Sequence, residues 1–168
     1  MHASRYVVFA ITLSSASLIF SPRTYAAGPI DICAIVTPAD AAALMGPLPQ
    51  QPPSKTDNGG FGTSMCMYLG PSVGGQGAQT TFLRLTVQAG AGKDAADIFE
   101  YNADRRKATI DFPKIGDSAK RNAQGTFVLA KKGATYCSAE IANGLPRGAT
   151  ADSAAARLGA LCQKVFAH

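Results

Sequence analysis

Four cysteines, Cys33, Cys66, Cys137 and Cys162, follow an apolar N-terminal run, and this pairing constrains the chain more than any other feature. Residues 1–26 read as a secretory signal peptide. Arg5 supplies the positive n-region, and Val7–Phe20 is apolar but too short to span a bilayer. Pro22 breaks the run, and Thr24-Tyr25-Ala26 places small residues for cleavage after Ala26. A lipoprotein anchor wants a small residue before its cysteine, whereas Ile32 precedes Cys33. Cleavage leaves residues 27–168 as one exported domain with no integral membrane span and enough chain to bury a core. The expected location is therefore periplasmic or secreted.

An even number of cysteines in an exported domain implies two disulfides. Four cysteines admit three connectivities, and sequence alone does not choose among them. The sequential pairing, Cys33–Cys66 and Cys137–Cys162, is preferred because each bridge staples a helical segment to a nearby strand. A loop of about thirty residues contributes roughly 3–4 kcal/mol in the chain-entropy account. Zinc is a poor rival: no C-x-x-C occurs, and the only histidine after the leader is His168.

Hydrophobic periodicity supplies the elements. Thr126–Ala142 reads as a β-hairpin: Phe127, Leu129, Tyr136 and Ser138 alternate with Val128, Ala130, Cys137 and Ala139, with Gly133-Ala134 at the turn. Thr150 or Asp152 caps a final helix in which Leu158, Leu161, Cys162, Val165 and Phe166 share one face. Upstream, Asp31 caps a short turn over Ile32–Val36. Thr37-Pro38-Ala39-Asp40 then starts a helix that stops at Gly46-Pro47. Gln50–Gly60 has the composition of a mobile loop.

Thr63–Leu69 is a strand with Cys66 and Tyr68 on one face and Met65 and Met67 on the other; the glycine-rich Pro71–Gln79 connects it to a second strand, Thr80–Gln88. Lys93–Ala108 is an amphipathic helix with Ala95, Ile98, Phe99 and Asn102 on one side. In Asp111–Ala119, Pro113 fixes an extended entry, Gly116 allows a bend and Asp117 can bond downstream backbone. A short strand, Ser118–Asn122, turns through Ala123-Gln124 into the hairpin. The order α-β-β-α-β-β-β-α predicts an α+β fold: an antiparallel sheet of about five strands packed by helices and stapled by disulfides.

Three short patterns occur in order: Asp31-x-Cys33-x-x-x-Thr37 leading to Ala43-Leu44-Met45-Gly46; Cys66-x-Tyr68; and Phe112-Pro113-x-Ile115-Gly116-Asp117-x-Ala119. Together they resemble the small exported domains grouped as DUF3558, and are similar to the extracellular sensor domain of mycobacterial PknH-type kinases. The resemblance covers most of the exported part. It implies an antiparallel sheet with packed helices, a Cys33–Cys66 bridge and no catalytic residues to carry over. The chain departs from the pattern at Ile32, where proline is common, and at Lys114, which replaces the glycine of the V-P-G-V-G-D-A box.

The inventory for catalysis is thin. Without an internal histidine there is no Ser-His-Asp or Cys-His arrangement, and S-x-x-K does not occur after the leader. The two glutamates, Glu100 and Glu140, fall in no paired motif. Pro71–Gln79 lacks the Lys-Ser/Thr of a phosphate-binding loop. Asp94, Asp97, Glu100 and Asp104 lie on one helix stripe, which cannot converge on calcium alone and reads as a solvated face. Met65 and Met67 with Met45 make a soft copper set on paper, but oxidised Cys66 and ordinary core packing explain them better. No metal and no cofactor are expected.

Loss of the leader lowers the net charge from +5 to +3, which demands no nucleic-acid partner. The basic clusters Arg105-Arg106-Lys107, Lys120-Arg121 and Lys131-Lys132 do not read as one patch. With a two-residue turn at Ala123-Gln124, Arg121 faces Thr126, and Lys131 lies about 17 Å further along the strand. The expected function is a non-catalytic envelope binding or sensing module for an unidentified ligand or protein. A small carboxylate-based enzyme and a protein–protein interaction or inhibitor domain are the alternatives. The connections Gln50–Gly62 and Pro71–Gln79 flank the Cys66 strand at opposite ends. One of them, with a cation such as Arg84 or Lys114, is expected to form the ligand site, which suits an anionic or polar ligand better than a lipid.

Overall fold

In a computed structural model, residues 30–58, 62–73, 79–89, 94–112, 114–145 and 148–168 are described; the expected leader lies outside them. The elements are α1 (Ile32–Ile35), α2 (Pro38–Met45), β1 (Ser54–Asn58), β2 (Thr63–Val73), β3 (Gln79–Gln88), α3 (Asp94–Arg105), β4 (Ile110–Asp111), β5 (Ser118–Arg121), β6 (Phe127–Lys132), β7 (Thr135–Ala142) and α4 (Ala151–Phe166). All strands join one antiparallel sheet in the order β1-β2-β3-β7-β6-β5-β4. The fold class is the expected α+β, with seven strands in place of five.

The two additional strands have weak sequence signatures. Ser54–Asn58, in the stretch expected to be a loop, pairs from Ser54↔Met67 to Asn58↔Thr63. Its residues, SKTDN, are polar because it is an edge strand, so no apolar alternation announces it. β4 is only two residues long. β2 also runs on through Pro71 to Val73, and a register shift between Leu69 and Ser72 accommodates the proline.

After β3 the chain leaves the middle of the sheet through α3 and re-enters at the far edge. The meander β4-β5-β6-β7 then returns and lays β7 beside β3. This return brings residues far apart in sequence face to face.

Strand alternation gives the sheet two unequal faces. One face turns Cys66, Tyr68, Leu83, Leu85, Val128, Cys137, Ala139 and Ile141 into a core shared with Val36, Leu44, Met45, Leu158, Cys162 and Val165 of the α1, α2 and α4 layer. The Tyr68 hydroxyl donates to the Val36 carbonyl oxygen at the end of α1. On the opposite face α3 packs over β6 and β7, where Phe99, Ala103, Phe127, Leu129 and Tyr136 form a smaller core. Beyond α3, that face leaves Met65, Met67 and Phe82 half-buried and Leu69 38% exposed. Of the methionines expected in the core, Met45 is buried there, whereas Met65 and Met67 stand on a partly open surface.

Both disulfides join a helix to a strand in the preferred pairing: Cys33 of α1 with Cys66 of β2, and Cys137 of β7 with Cys162 of α4. Cys66, Cys137 and Cys162 are fully buried.

The β5–β6 connection differs from the expected two-residue turn. Asn122 Oδ1 accepts the N–H groups of Thr126 and Phe127 at 3.0 and 3.1 Å, and Gly125 takes φ +70°. This wider loop sets Arg121 opposite Val128 instead of Thr126. Arg121 then faces α4 and binds Asp152 at 2.7 Å, while Lys120 reaches Glu100 of α3 at 2.8 Å on the other face. Alternation splits the doublet across the sheet.

Helix α3 ends at Arg105, short of the expected Ala108, because Lys107 adopts a left-handed φ of +53° and Ala108 N–H donates to the Ala103 carbonyl. Thr150, not Asp152, caps α4, in a box with Ser153. Thr37 and Asp40 form the capping box of α2, and Lys164 of α4 reaches the same carboxylate at 2.7 Å. Burial works against the Asp40 charge, but Lys164 and the N–H and hydroxyl of Thr37 outweigh it and hold the carboxyl below its usual range.

A depressed carboxyl contributes stability above its unfolded value that is lost as pH falls through the folded one. Asp40→Asn should therefore cost about 1 kcal/mol at neutral pH, with the difference from wild type shrinking as pH falls through and below the ordinary carboxylate range. Urea unfolding of both proteins across that range checks it. A gap that persists in acid would assign the loss to packing.

Candidate functional site

The return of β7 to β3 sets Arg84 directly opposite Glu140. An Arg84 Nη2 donates to Glu140 Oε2, and Arg106 Nη1 donates to the other oxygen, Oε1, at 2.9 Å. One carboxylate thus fixes two guanidiniums. Its side chain is 16% exposed, against 32% for Arg84 and 38% for Arg106. The Arg106 guanidinium also lies over the Phe127 ring, 5.5 Å from its centroid.

These groups line a cavity of about 370 Å³ between the open sheet face and α3. Its walls include Met65, Thr86, Asn102, Arg105, Tyr136 and Ser138. Three guanidiniums face one carboxylate, so the cavity carries an excess of positive charge. Each guanidinium has five N–H donors in a planar fork, and Glu140 takes only one from Arg84 and one from Arg106. The remaining donors suit a planar oxyanion. Burial, above all, pushes the Tyr136 phenol up, so it stays a neutral hydrogen-bonding group there.

Of the two expected cations, Arg84 lies in this cavity and Lys114 in a different one. The Lys114 cavity, about 450 Å³, is also lined by Phe99, Glu100, Asp111, Asp117 and Lys120, and its acids offset its cations. No described residue of Gln50–Gly62 or Pro71–Gln79 lines the Arg84 cavity; it is built from strands and a helix. Pro71 instead borders a third, more apolar cleft of about 410 Å³ with Leu44, Met45, Ile141 and Arg157.

Sequence reasoning missed Glu140, which it left unpaired, and counted Arg106 only as part of a basic cluster. Parity places Arg84 and Glu140 on the same face of their strands. Nothing in the sequence, however, announces that β3 and β7 are neighbours. Among the described residues no three His, Cys, Asp or Glu side chains converge as metal ligands, and no helix is long and apolar enough to cross a membrane.

Lys114 lies in the bend before β5 with a φ of +75°, a conformation that glycine adopts most readily. The bend is kept, at the expense of a left-handed lysine. Its carbonyl accepts from Gln163 Nε2 at 2.5 Å, a contact any residue would retain. Lys114→Gly should therefore raise stability by about 0.5–1 kcal/mol, the left-handed strain relieved less the entropy of glycine. Denaturant midpoints of the two proteins decide it, and a loss would mean the exposed lysine side chain contributes more than its backbone costs.

Comparison of the chain with protein-family models, curated proteins and solved structures finds no match. The fold and cavity define a disulfide-stapled α+β domain with an arginine-lined recess.

Proposed function

We propose that the chain is an exported, non-catalytic envelope binding or sensing domain of the DUF3558-like kind, and that its ligand carries an anionic group held by Arg84 and Arg106. The observation that carries this reading is the excess of guanidinium over carboxylate in one recess, with Glu140 orienting both forks. The two disulfides suit an oxidising compartment outside the cytoplasm. General acid–base chemistry by a carboxylate pair finds no support at this site. Among the described residues Glu140 is the only acid lining the recess, and both its oxygens are engaged by arginine.

Calorimetric titration with benzoate, a planar carboxylate, tests the reading. Arg84→Gln should weaken binding about tenfold or more, while Arg157→Gln, in the apolar cleft, should leave it unchanged. Absence of binding, or equal losses in the two variants, would refute the anion site.

A further inference from the structure

The ladder of paired residues on the open face has a chemical order. One cross-strand row is Met67, Arg84, Glu140 and Phe127. The adjacent row, one pleat along, is Leu69, Phe82 and Ala142, all apolar. The two rows are roughly 7 Å apart along the strands. The apolar strip formed by Met67, Leu69 and Phe82 therefore borders the Arg84–Glu140 pair on one side, while the recess extends to the other, along Met65, Thr86, Ser138 and Tyr136. Leu69 is 38% exposed, Met67 and Phe82 are half-buried, and α3 packs over β6 and β7 instead. On the opposite face the equivalent β2 and β3 positions, Cys66, Tyr68, Leu83 and Leu85, are fully covered.

From this juxtaposition we infer that the ligand is an anionic amphiphile: an unbranched acyl chain ending in a carboxylate. The carboxylate would sit on the free N–H groups of Arg84 and Arg106, and the chain would lie along Met67, Leu69 and Phe82. Charge complementarity selects the head group, since the recess has three guanidiniums against one carboxylate. The flexible thioether of Met67 can mould itself to a chain. The expectation of an anionic or polar ligand rested on a cation beside one of the two polar loops, and Met65 and Met67 were read as core. The half-buried position of both methionines on the open face adds an apolar surface beside that cation.

This inference rests on the anion site proposed above, and one titration series separates the two. Saturated carboxylates from butanoate to octanoate are titrated into the full chain below their micelle concentrations, with octyltrimethylammonium as the cationic counterpart. Burying even half of each added methylene predicts at least about tenfold tighter binding of octanoate than butanoate. Leu69→Gln should flatten that dependence, and Arg84→Gln should weaken every member. The cationic amphiphile should not bind. Equal binding across the series would overturn the amphiphile and leave the anion site standing. No binding by any carboxylate would overturn both. Comparable binding of octyltrimethylammonium would show a merely apolar contact and sink the inference. The wild-type series needs no substitution, so a misfolded variant leaves the test decisive.

Discussion

Replacing Gly116 by alanine should cost about 3 kcal/mol or more, one of the largest losses available from adding a single methyl group. Gly116 has φ +59°, and a Cβ there would stand 2.3 Å from the Lys131 carbonyl oxygen and 2.9 Å from its carbon. Those are backbone atoms of β6 and cannot swing aside. The close approach has a purpose. Asp117 N–H donates to that same carbonyl at 2.7 Å, and Asp117 Oδ2 accepts Gly133 N–H at 2.7 Å. The bend before β5 is thereby docked onto the β6–β7 turn.

Gly133 is the control: its φ is +56°, but a Cβ there would meet nothing within 4 Å. Gly133→Ala should cost only the left-handed strain, about 1 kcal/mol. Urea midpoints for the two variants measure the difference. Equal losses would show that conformation, and not the approach to Lys131, fixes glycine at position 116.

Removal of the Cys137–Cys162 bridge should cost more than removal of Cys33–Cys66. The sequence separations, 25 and 33, give nearly equal loop-entropy contributions of about 3.5 kcal/mol. Burial separates them. Cys137 and Cys162 are both fully buried where α4 meets β7, so alanine at each leaves a void in the main core. Cys33 lies half-buried on the four-residue α1, at the margin of the fold. The double substitution Cys137→Ala/Cys162→Ala should lose about 4–6 kcal/mol, a large share of the stability of a domain this size. Cys33→Ala/Cys66→Ala should lose less. Thermal denaturation of the two variants ranks them, and the reverse order would mean that α1 anchors the sheet more firmly than its contacts suggest.

The α+β class, the preferred disulfide pairing, the cap at Thr37, the start of α4 to within two residues and its buried face were legible in the sequence. Each is a local signal: a period, a capping residue, or a cysteine beside a strand. Three features were not. β1 is polar because it lies at an edge, so the signal that marks strands is missing. The β5–β6 register depends on Asn122 bridging its own loop, which shifts Arg121 from Thr126 to Val128. The recess depends on topology: Arg84 and Glu140 are 56 residues apart and meet only because the meander returns β7 to β3. Arg84 was named as a candidate ligand cation, but its pairing with Glu140 and the helix beside it were beyond any local pattern.

The central claim is that Arg84, Arg106 and Glu140 form an anion-binding recess. The most direct measurement is a crystal structure of the protein soaked in para-bromobenzoate, read by the anomalous signal of bromine. A bromine peak is expected beside the open face of β2 and β3, with the carboxylate on the Arg84 and Arg106 guanidiniums. An empty recess at saturating ligand, or peaks confined to the Lys114 or Arg157 cavities, would contradict it.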